Sequence, residues 1–84
     1  MSVEDKQIWR ALERELTRRQ DLDLSDTKVV VQRGIGYISG IIRPQQGAYI
    51  VPREEIKAIM ETSRRVPGLK DIVIDARFVI DTKK

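Results

Sequence analysis

The stretch Lys28-Val-Val-Val-Gln-Arg-Gly-Ile-Gly-Tyr-Ile-Ser-Gly-Ile-Ile42 decides the fold of this chain. Two runs rich in β-branched residues, 28–32 and 35–42, are separated only by Arg33 and Gly34. Such runs favour strands, and a two-residue link that contains glycine is typical of a tight hairpin turn. The stretch therefore predicts a β-hairpin, against which the remaining elements must pack.

A helix is predicted before the hairpin, over residues 3–19. Ile8, Leu12 and Leu16 recur every four residues and give one apolar stripe. Ser2 stands at the N-cap position, and Asp5 follows three residues later, where the second residue of a capping box belongs. Residues 20–27 are polar and predict a connector to the hairpin.

A second helix and a third strand are predicted after the hairpin. Pro52 suits the first position of a helix, and Pro67-Gly68 ends it. Its expected inward stripe consists of Ile56, Ile59, Met60 and Ser63. Apolar residues then alternate with others over residues 70–80, which predicts a strand with one buried face.

The predicted order is helix, strand, strand, helix, strand. Both apolar helix stripes can be buried on one face of a three-stranded mixed sheet, which is an α+β fold. A strand that follows a helical crossover is expected to lie parallel to a hairpin strand. Gly36 and Gly40 share the sheet face on which we expect a helix to lie closely. The 84 residues, 1–84, suffice for one domain.

Composition argues against several classes of function. The chain has no cysteine and no histidine, so disulfides, thiolate metal sites and the commonest general base are excluded. Sixteen basic residues are mixed with thirteen acidic ones, for a net charge of +3, whereas nucleic-acid binders usually carry a concentrated basic patch. We expect a protein that is not an enzyme, holds no cofactor or metal, and does not bind nucleic acid.

The N-terminal residues indicate a compartment only weakly. They begin an amphipathic helix and contain no signal-peptide pattern, which predicts a cytoplasmic protein as the chain is written. A protein whose signal had been removed would have the same sequence, and periplasmic location is then expected.

Three stretches resemble the BON domain, a small bacterial module of osmotic-stress and membrane-associated proteins. They are Asp5-Lys-Gln-Ile-Trp-Arg-Ala-Leu12, Val29-Val-Val-Gln-Arg-Gly-Ile-Gly-Tyr-Ile-Ser-Gly40 and Val66-Pro-Gly-Leu-Lys-Asp-Ile72. Gly34, Gly40 and Gly68 match the glycines of the family pattern. The connector after the second strand is longer than usual, and Asp75 lies near the position of a common asparagine. The resemblance implies non-catalytic binding to proteins or to phospholipid surfaces.

The sheet face opposite the helices is the leading candidate site. Alternation places more apolar residues there than a solvated face needs, which is typical of an interaction surface. The alternative is ordinary β-branched propensity. A second copy of the chain, docked on this face or along a strand edge, is the first partner to consider. The candidate partner-binding residues on the sheet are Val30, Ile35, Tyr37, Ile41, Val73 and Val79.

Three further groups are weaker candidates. Tyr49, in the segment 43–51, is either part of a recognition loop or a cover for the core. Arg10, Arg14 and Arg18 recur every four residues on one helix face and are candidates for binding anionic lipid, or they form a solvated face. Asp21, Asp23 and Asp26 have the chemistry of a calcium site but not its spacing, which favours a plain connector.

Overall fold

A computed structural model describes residues 2–19, 21–45 and 48–79 of the chain. The elements follow in the order α1 (Val3–Thr17), β1 (Leu22–Asp23), β2 (Thr27–Gln32), β3 (Ile35–Pro44), α2 (Pro52–Ser63) and β4 (Asp71–Phe78). This order confirms the predicted α+β fold. The short β1 lies in the stretch predicted as a connector, and α1 ends two residues before the predicted Arg19. The predicted end of the last strand, Ile80, lies outside the described residues.

β3 is the central strand of a mixed sheet. β2 pairs antiparallel with its first part, and β4 pairs parallel with its other edge, as the helical crossover predicted. β1 pairs antiparallel with the last two residues of β3. Ile41 N–H donates to Asp26 O at 3.0 Å between these two pairings, so β1 and β2 follow one edge of β3 in succession.

The turn between β2 and β3 has positive φ at both of its residues. Arg33 has a φ of 54° and Gly34 a φ of 80°. Two successive positive φ angles give the backbone twist that a two-residue hairpin requires. Glycine adopts this conformation without a steric penalty, whereas Arg33 pays a small one.

Both helices pack on the same face of the sheet. One core joins the α1 stripe, Ile59 of α2 and the even-numbered side chains of β3, among them Ile38 and Ile42. α1 approaches β3 most closely at Gly36, where an added Cβ would lie 3.0 Å from Leu12 Cδ2. The absence of a side chain at Gly36 therefore sets how deeply α1 sits, as predicted.

Gly40 has a different role from the predicted one. It has a φ of 95°, and an added Cβ would lie 2.4 Å from the backbone oxygen of Asp26. The pairing register shifts by one residue here, between Asp23↔Arg43 and Thr27↔Gly40. Gly40 is thus required by an irregularity between strands and not by a helix.

The inward face of α2 also differs from the predicted stripe. Ile59 and Ser63 are buried, but Met60 is 43% exposed. Glu55, one turn before Ile59, is buried in its place. The apolar periodicity missed this position because the residue that fills it is charged.

Candidate functional site

The open face of the sheet carries the odd-numbered side chains of β3 and β4 and the even-numbered ones of β2. Strand register places Tyr37 of β3 directly between Val30 of β2 and Val73 of β4. Because successive side chains point to opposite faces, this row lies opposite the core. No helix within the described ranges packs over it, since the buried apolar side chains of α1 and α2 join the core on the other face.

The structure brings all six predicted sheet residues to this face. Tyr37 is 38% exposed and Val73 is 43% exposed. The other four side chains are half-buried: Val30, Ile35, Ile41 and Val79. An apolar surface thus remains accessible on a sheet whose other face is covered.

A polar row divides this surface. This row consists of paired residues from β2, β3 and β4, namely Lys28, Ser39 and Asp75. It lies two residues along each strand from the Val30–Tyr37–Val73 row, on the same face of the sheet. Ile41 and Val79 lie beyond that polar row. The accessible apolar area is therefore centred on Tyr37, with a polar margin, which is the arrangement typical of a protein interface.

The seventh candidate, Tyr49, is not on the sheet. It lies between β3 and α2 and is 82% exposed, while the next residue, Ile50, is buried in the core. Ile50 anchors the segment, and Tyr49 projects from it. Ile50 thus covers the core, whereas Tyr49 does not and remains available as a candidate for recognition.

Two arginines of α1 and the one that directly follows it lie on the outer side of the helix. Arg10, Arg14 and Arg18 are all exposed. Arg18 Nη1 lies 3.7 Å from Glu15 Oε2, an ion pair on the helix surface that dilutes the positive charge. Arg18 and the segment before α2 lie at the same end of the molecule, because the neighbouring Arg19 binds Glu55 of α2.

Asp5 links the start of α1 to the hairpin turn, a contact the sequence did not predict. Its Oδ2 accepts from Arg33 N–H at 2.9 Å and its Oδ1 from Gly34 N–H at 3.0 Å. Ser2 Oγ accepts from Asp5 N–H at 3.0 Å, so the predicted N-cap is present. The Asp5 carboxylate, however, binds the turn and does not complete the predicted capping box.

These contacts change the acidity of Asp5. The pKa of Asp5 is held below its ordinary value of 3.8 chiefly by the backbone N–H of Arg33. The backbone N–H of Gly34 and the hydroxyl of Ser2 add to this effect, whereas burial opposes it. Hydrogen bonds from N–H groups favour the charged carboxylate. Asp5 is therefore a structural anion that fixes one end of the sheet.

A second ionic contact joins the two helices. Arg19 Nη2 donates to Glu55 Oε1 and lies 3.6 Å from Asp21 Oδ2. Burial raises the pKa of Glu55, and the nearby Asp21 adds to this rise, while Arg19 opposes it. The cluster ties the end of α1 to the start of α2 and accounts for the buried Glu55.

The aspartates of the connector have separate roles. Asp21 belongs to the cluster just described, and Asp26 forms an ion pair with Arg43. Asp23 Oδ1 accepts from Ser25 N–H at 3.0 Å, which lowers the pKa of Asp23. Over the described part of the chain, no group of three or more acidic side chains is placed to hold a metal ion.

A cleft of about 490 Å³ opens between the end of α1 and the β1–β2 edge. Leu16, Leu24 and Val29 contribute apolar walls, and Glu13 and Arg19 are its ionisable residues. Arg19 is already engaged by Glu55. The cleft thus offers apolar surface beside α1, and its ionisable residues Glu13 and Arg19 do not form an ion pair with each other.

Comparisons with models of known protein families and with curated proteins give no match to this chain. No helix in the described ranges is both long enough and apolar enough to cross a membrane.

Proposed function

We propose that this chain is a non-catalytic binding module that docks a protein partner on its open sheet face. The observation that carries the proposal is the accessible row Val30–Tyr37–Val73 on a face that neither α1 nor α2 covers. A second copy of the chain is the first partner to test.

The chemistry of this row suits protein recognition. Tyr37 offers a large apolar ring and a hydroxyl, a combination enriched in interfaces. Burial of its neighbours Val30 and Val73 against a partner adds about 25 cal/mol per Å² of apolar surface removed from water. Lys28 and Asp75, in the adjacent polar row, supply charges that restrict which surfaces fit.

The resemblance to BON domains supports the same proposal. That family is one of binding modules without a catalytic motif. The resemblance rests on Gly34, Gly40 and Gly68 and on the stretches in α1, in the hairpin and between α2 and β4. Apart from the short β1, the order of helices and strands in this chain is helix–strand–strand–helix–strand, which is consistent with it. Family membership is part of the proposal.

The direct test compares two tyrosine substitutions. Tyr37→Lys places a charge at the centre of the row, whereas Tyr49→Lys makes the same change on the segment before α2. We expect Tyr37→Lys to weaken association at least about tenfold in sedimentation equilibrium, because a buried unpaired charge opposes docking. Tyr49→Lys should leave association unchanged. Equal behaviour of the two variants, or a wild-type monomer at high micromolar concentration, would reject self-association through this face.

Peripheral binding to anionic phospholipid is the second candidate. Its support is the exposure of Arg10, Arg14 and Arg18 together with the exposure of Tyr49. Exposed cations attract a negatively charged bilayer surface, and an exposed aromatic ring can insert at its interface. Co-sedimentation with phosphatidylserine vesicles that is lost in high salt and in the triple Arg→Gln variant would support it. Failure to sediment in low salt would reject it.

A further inference from the structure

β4 is an edge strand whose outer side has no strand partner within the described ranges. Val79 N–H donates to Ile42 O at 2.9 Å, so the odd-numbered backbone groups of this strand face β3. Backbone groups alternate in direction along a strand, and the even-numbered ones must face outwards. These belong to Ile72, Ile74, Ala76 and Phe78, and among them the Ile72 N–H already donates to Asp71 Oδ1 at 2.8 Å.

The opposite edge of the sheet is partly occupied. Ile41 N–H donates to Asp26 O, which fixes the pairing phase so that the odd-numbered backbone groups of β2 face outwards. Trp9 Nε1–H of α1 donates to one of these groups, Val29 O, at 3.0 Å. Of the two long edges, β4 is therefore the better template for another strand.

The side chains of β4 are complementary to those of a second, antiparallel β4. Asp75 and Arg77 lie two residues apart on the open face, with Ala76 between them. When two such strands pair about a two-fold axis at Ala76, Asp75 of each copy lies opposite Arg77 of the other. Opposite charges at directly paired positions stabilise strand pairing.

We propose that β4 pairs antiparallel with β4 of a second copy of this chain, about a two-fold axis through Ala76. In this register Ile74 of one copy faces Phe78 of the other, and Val73 faces Val79. The outward backbone groups of Ile74, Ala76 and Phe78 meet the same groups of the second copy, as hydrogen-bonded pairs require.

Neighbouring registers fit less well. An axis at Asp75 places two carboxylates opposite each other, and an axis at Arg77 places two guanidinium groups opposite each other, and like charges at paired positions destabilise a sheet. An axis at Ile74 pairs Asp71 with Arg77 but opposes Val73 to Asp75. An axis between two residues sets outward backbone groups against inward ones, which removes the hydrogen bonds.

The incomplete burial of the core-side residues of β4 is consistent with a partner strand along this edge. Ile38 and Ile42, on the core side of β3, are buried, whereas Ile74, Ala76 and Phe78, on the core side of β4, remain half-buried. Pairing with a second copy covers these three side chains. The axis is perpendicular to the sheet, so both pairs of helices lie on one side and both open faces on the other.

This inference goes beyond the proposed function, because it concerns the edge of the sheet and names the occupant. The edge-paired dimer presents one continuous open face of twice the width. A partner docking on that face would then contact the Tyr37 row of both copies.

Single cysteines in this cysteine-free chain test the register. Paired Cα atoms at the axis are about 5.5 Å apart, within disulfide range, whereas the Cα atoms of position 74 in the two copies are about 14 Å apart. We expect Ala76→Cys to form a disulfide-linked dimer under mild oxidation and Ile74→Cys not to do so. Crosslinking of Ile74→Cys alone, or of neither variant, would overturn the proposed register.

Charge reversal tests the contact in solution. Asp75→Arg is expected to weaken dimerisation about tenfold, because symmetry places two like-charge pairs in the interface. The double variant Asp75→Arg/Arg77→Asp should restore it to within about threefold of wild type. Glu61→Arg, exposed on α2, changes the net charge equally and should have no effect.

The outcomes separate the edge from the open face. Loss of dimerisation in Asp75→Arg without rescue by the double variant would refute the pairing of Asp75 with Arg77. If Tyr37→Lys abolishes association while Ala76→Cys fails to crosslink, the face is the interface and the edge proposal is wrong. If the crosslink forms and Tyr37→Lys has no effect, the β4 edge is the interface and self-association through the open face is rejected. Binding of a different protein's extended strand, with wild type remaining monomeric, would also reject the second copy as occupant.

Discussion

At the scale of single residues, Asp5 holds the hairpin turn in place. Its two oxygens accept from the N–H groups of Arg33 and Gly34, which otherwise have no strand partner because they form the turn. Buried N–H groups are costly when unpaired. One carboxylate from the first turn of α1 therefore fixes α1 relative to the β2–β3 end of the sheet.

Asp5→Asn should destabilise the protein most at neutral pH. The folded-state pKa of Asp5 lies below the ordinary value of 3.8, so the folded chain holds this proton less tightly than the unfolded chain. The stability from the ionised group is complete above the unfolded-state pKa and is lost as pH falls through the folded-state pKa. The difference in unfolding free energy between wild type and Asp5→Asn should therefore shrink below about pH 4.

Urea denaturation of both proteins across a pH series measures this difference. Glu4→Gln, which neutralises the exposed carboxylate of the neighbouring residue, serves as the control. A gap between wild type and Asp5→Asn that stays constant down to about pH 2 would contradict the role assigned to the carboxylate.

The distant contacts of Asp5 and Gly40 could not be predicted from the sequence. The capping-box spacing correctly identified Ser2 as the cap but assigned the Asp5 carboxylate to the wrong donor, because the true donors lie 28 and 29 positions away. Gly40 was likewise assigned to a helix contact, whereas it serves a shift in strand register. The spacing of residues along the sequence shows which polar groups could form hydrogen bonds. It does not show which backbone groups, distant in sequence, they contact.

At the scale of elements, the joint between α1 and α2 rests on a charged pair. Arg19 follows α1, and Glu55 lies in the first turn of α2, where its burial replaces the apolar contact expected of an inward position. Burial raises the pKa of Glu55, and desolvation of a buried ion pair offsets much of the attraction between its charges. The pair therefore specifies how the helices meet more than it adds net stability.

Arg19→Ala should be strongly destabilising, by about 2–3 kcal/mol, since it leaves Glu55 buried without its cation. The value is below that for a fully buried pair because 24% of the Arg19 side chain is exposed. The double variant Arg19→Met/Glu55→Leu should recover most of this loss, because no charge is then buried. Thermal or urea unfolding of the two variants measures the difference, and a double variant less stable than Arg19→Ala would contradict the explanation.

The elements themselves were largely predictable. The four-residue spacing of Ile8, Leu12 and Leu16 and the period-two alternation in β4 each report one buried face, which is a local property. β1 was not predictable, because two paired residues carry no periodic signal. Glu55 was missed and Met60 was wrongly placed inward, because hydrophobicity alone decided the expected stripe.

At the scale of the whole molecule, the sheet has one covered and one accessible side. The placement of the six sheet residues on a common face followed from alternation and hairpin register. Their division by Lys28, Ser39 and Asp75 did not, since it depends on how three strands align. The parallel offset of β4 against β3 is set by α2 and its flanking turns and has no local signal in the sequence.

The most direct test of the account is a map of amide chemical shifts on dilution, from about 1 mM to about 10 µM, spanning weak self-association. Docking on the open face predicts shifts at Val30, Tyr37 and Ile41, with those of α1 and α2 unchanged; edge pairing adds shifts along β4. Shifts confined to the helices, or none over the whole range, would contradict the claim that the uncovered side of the sheet receives a second copy.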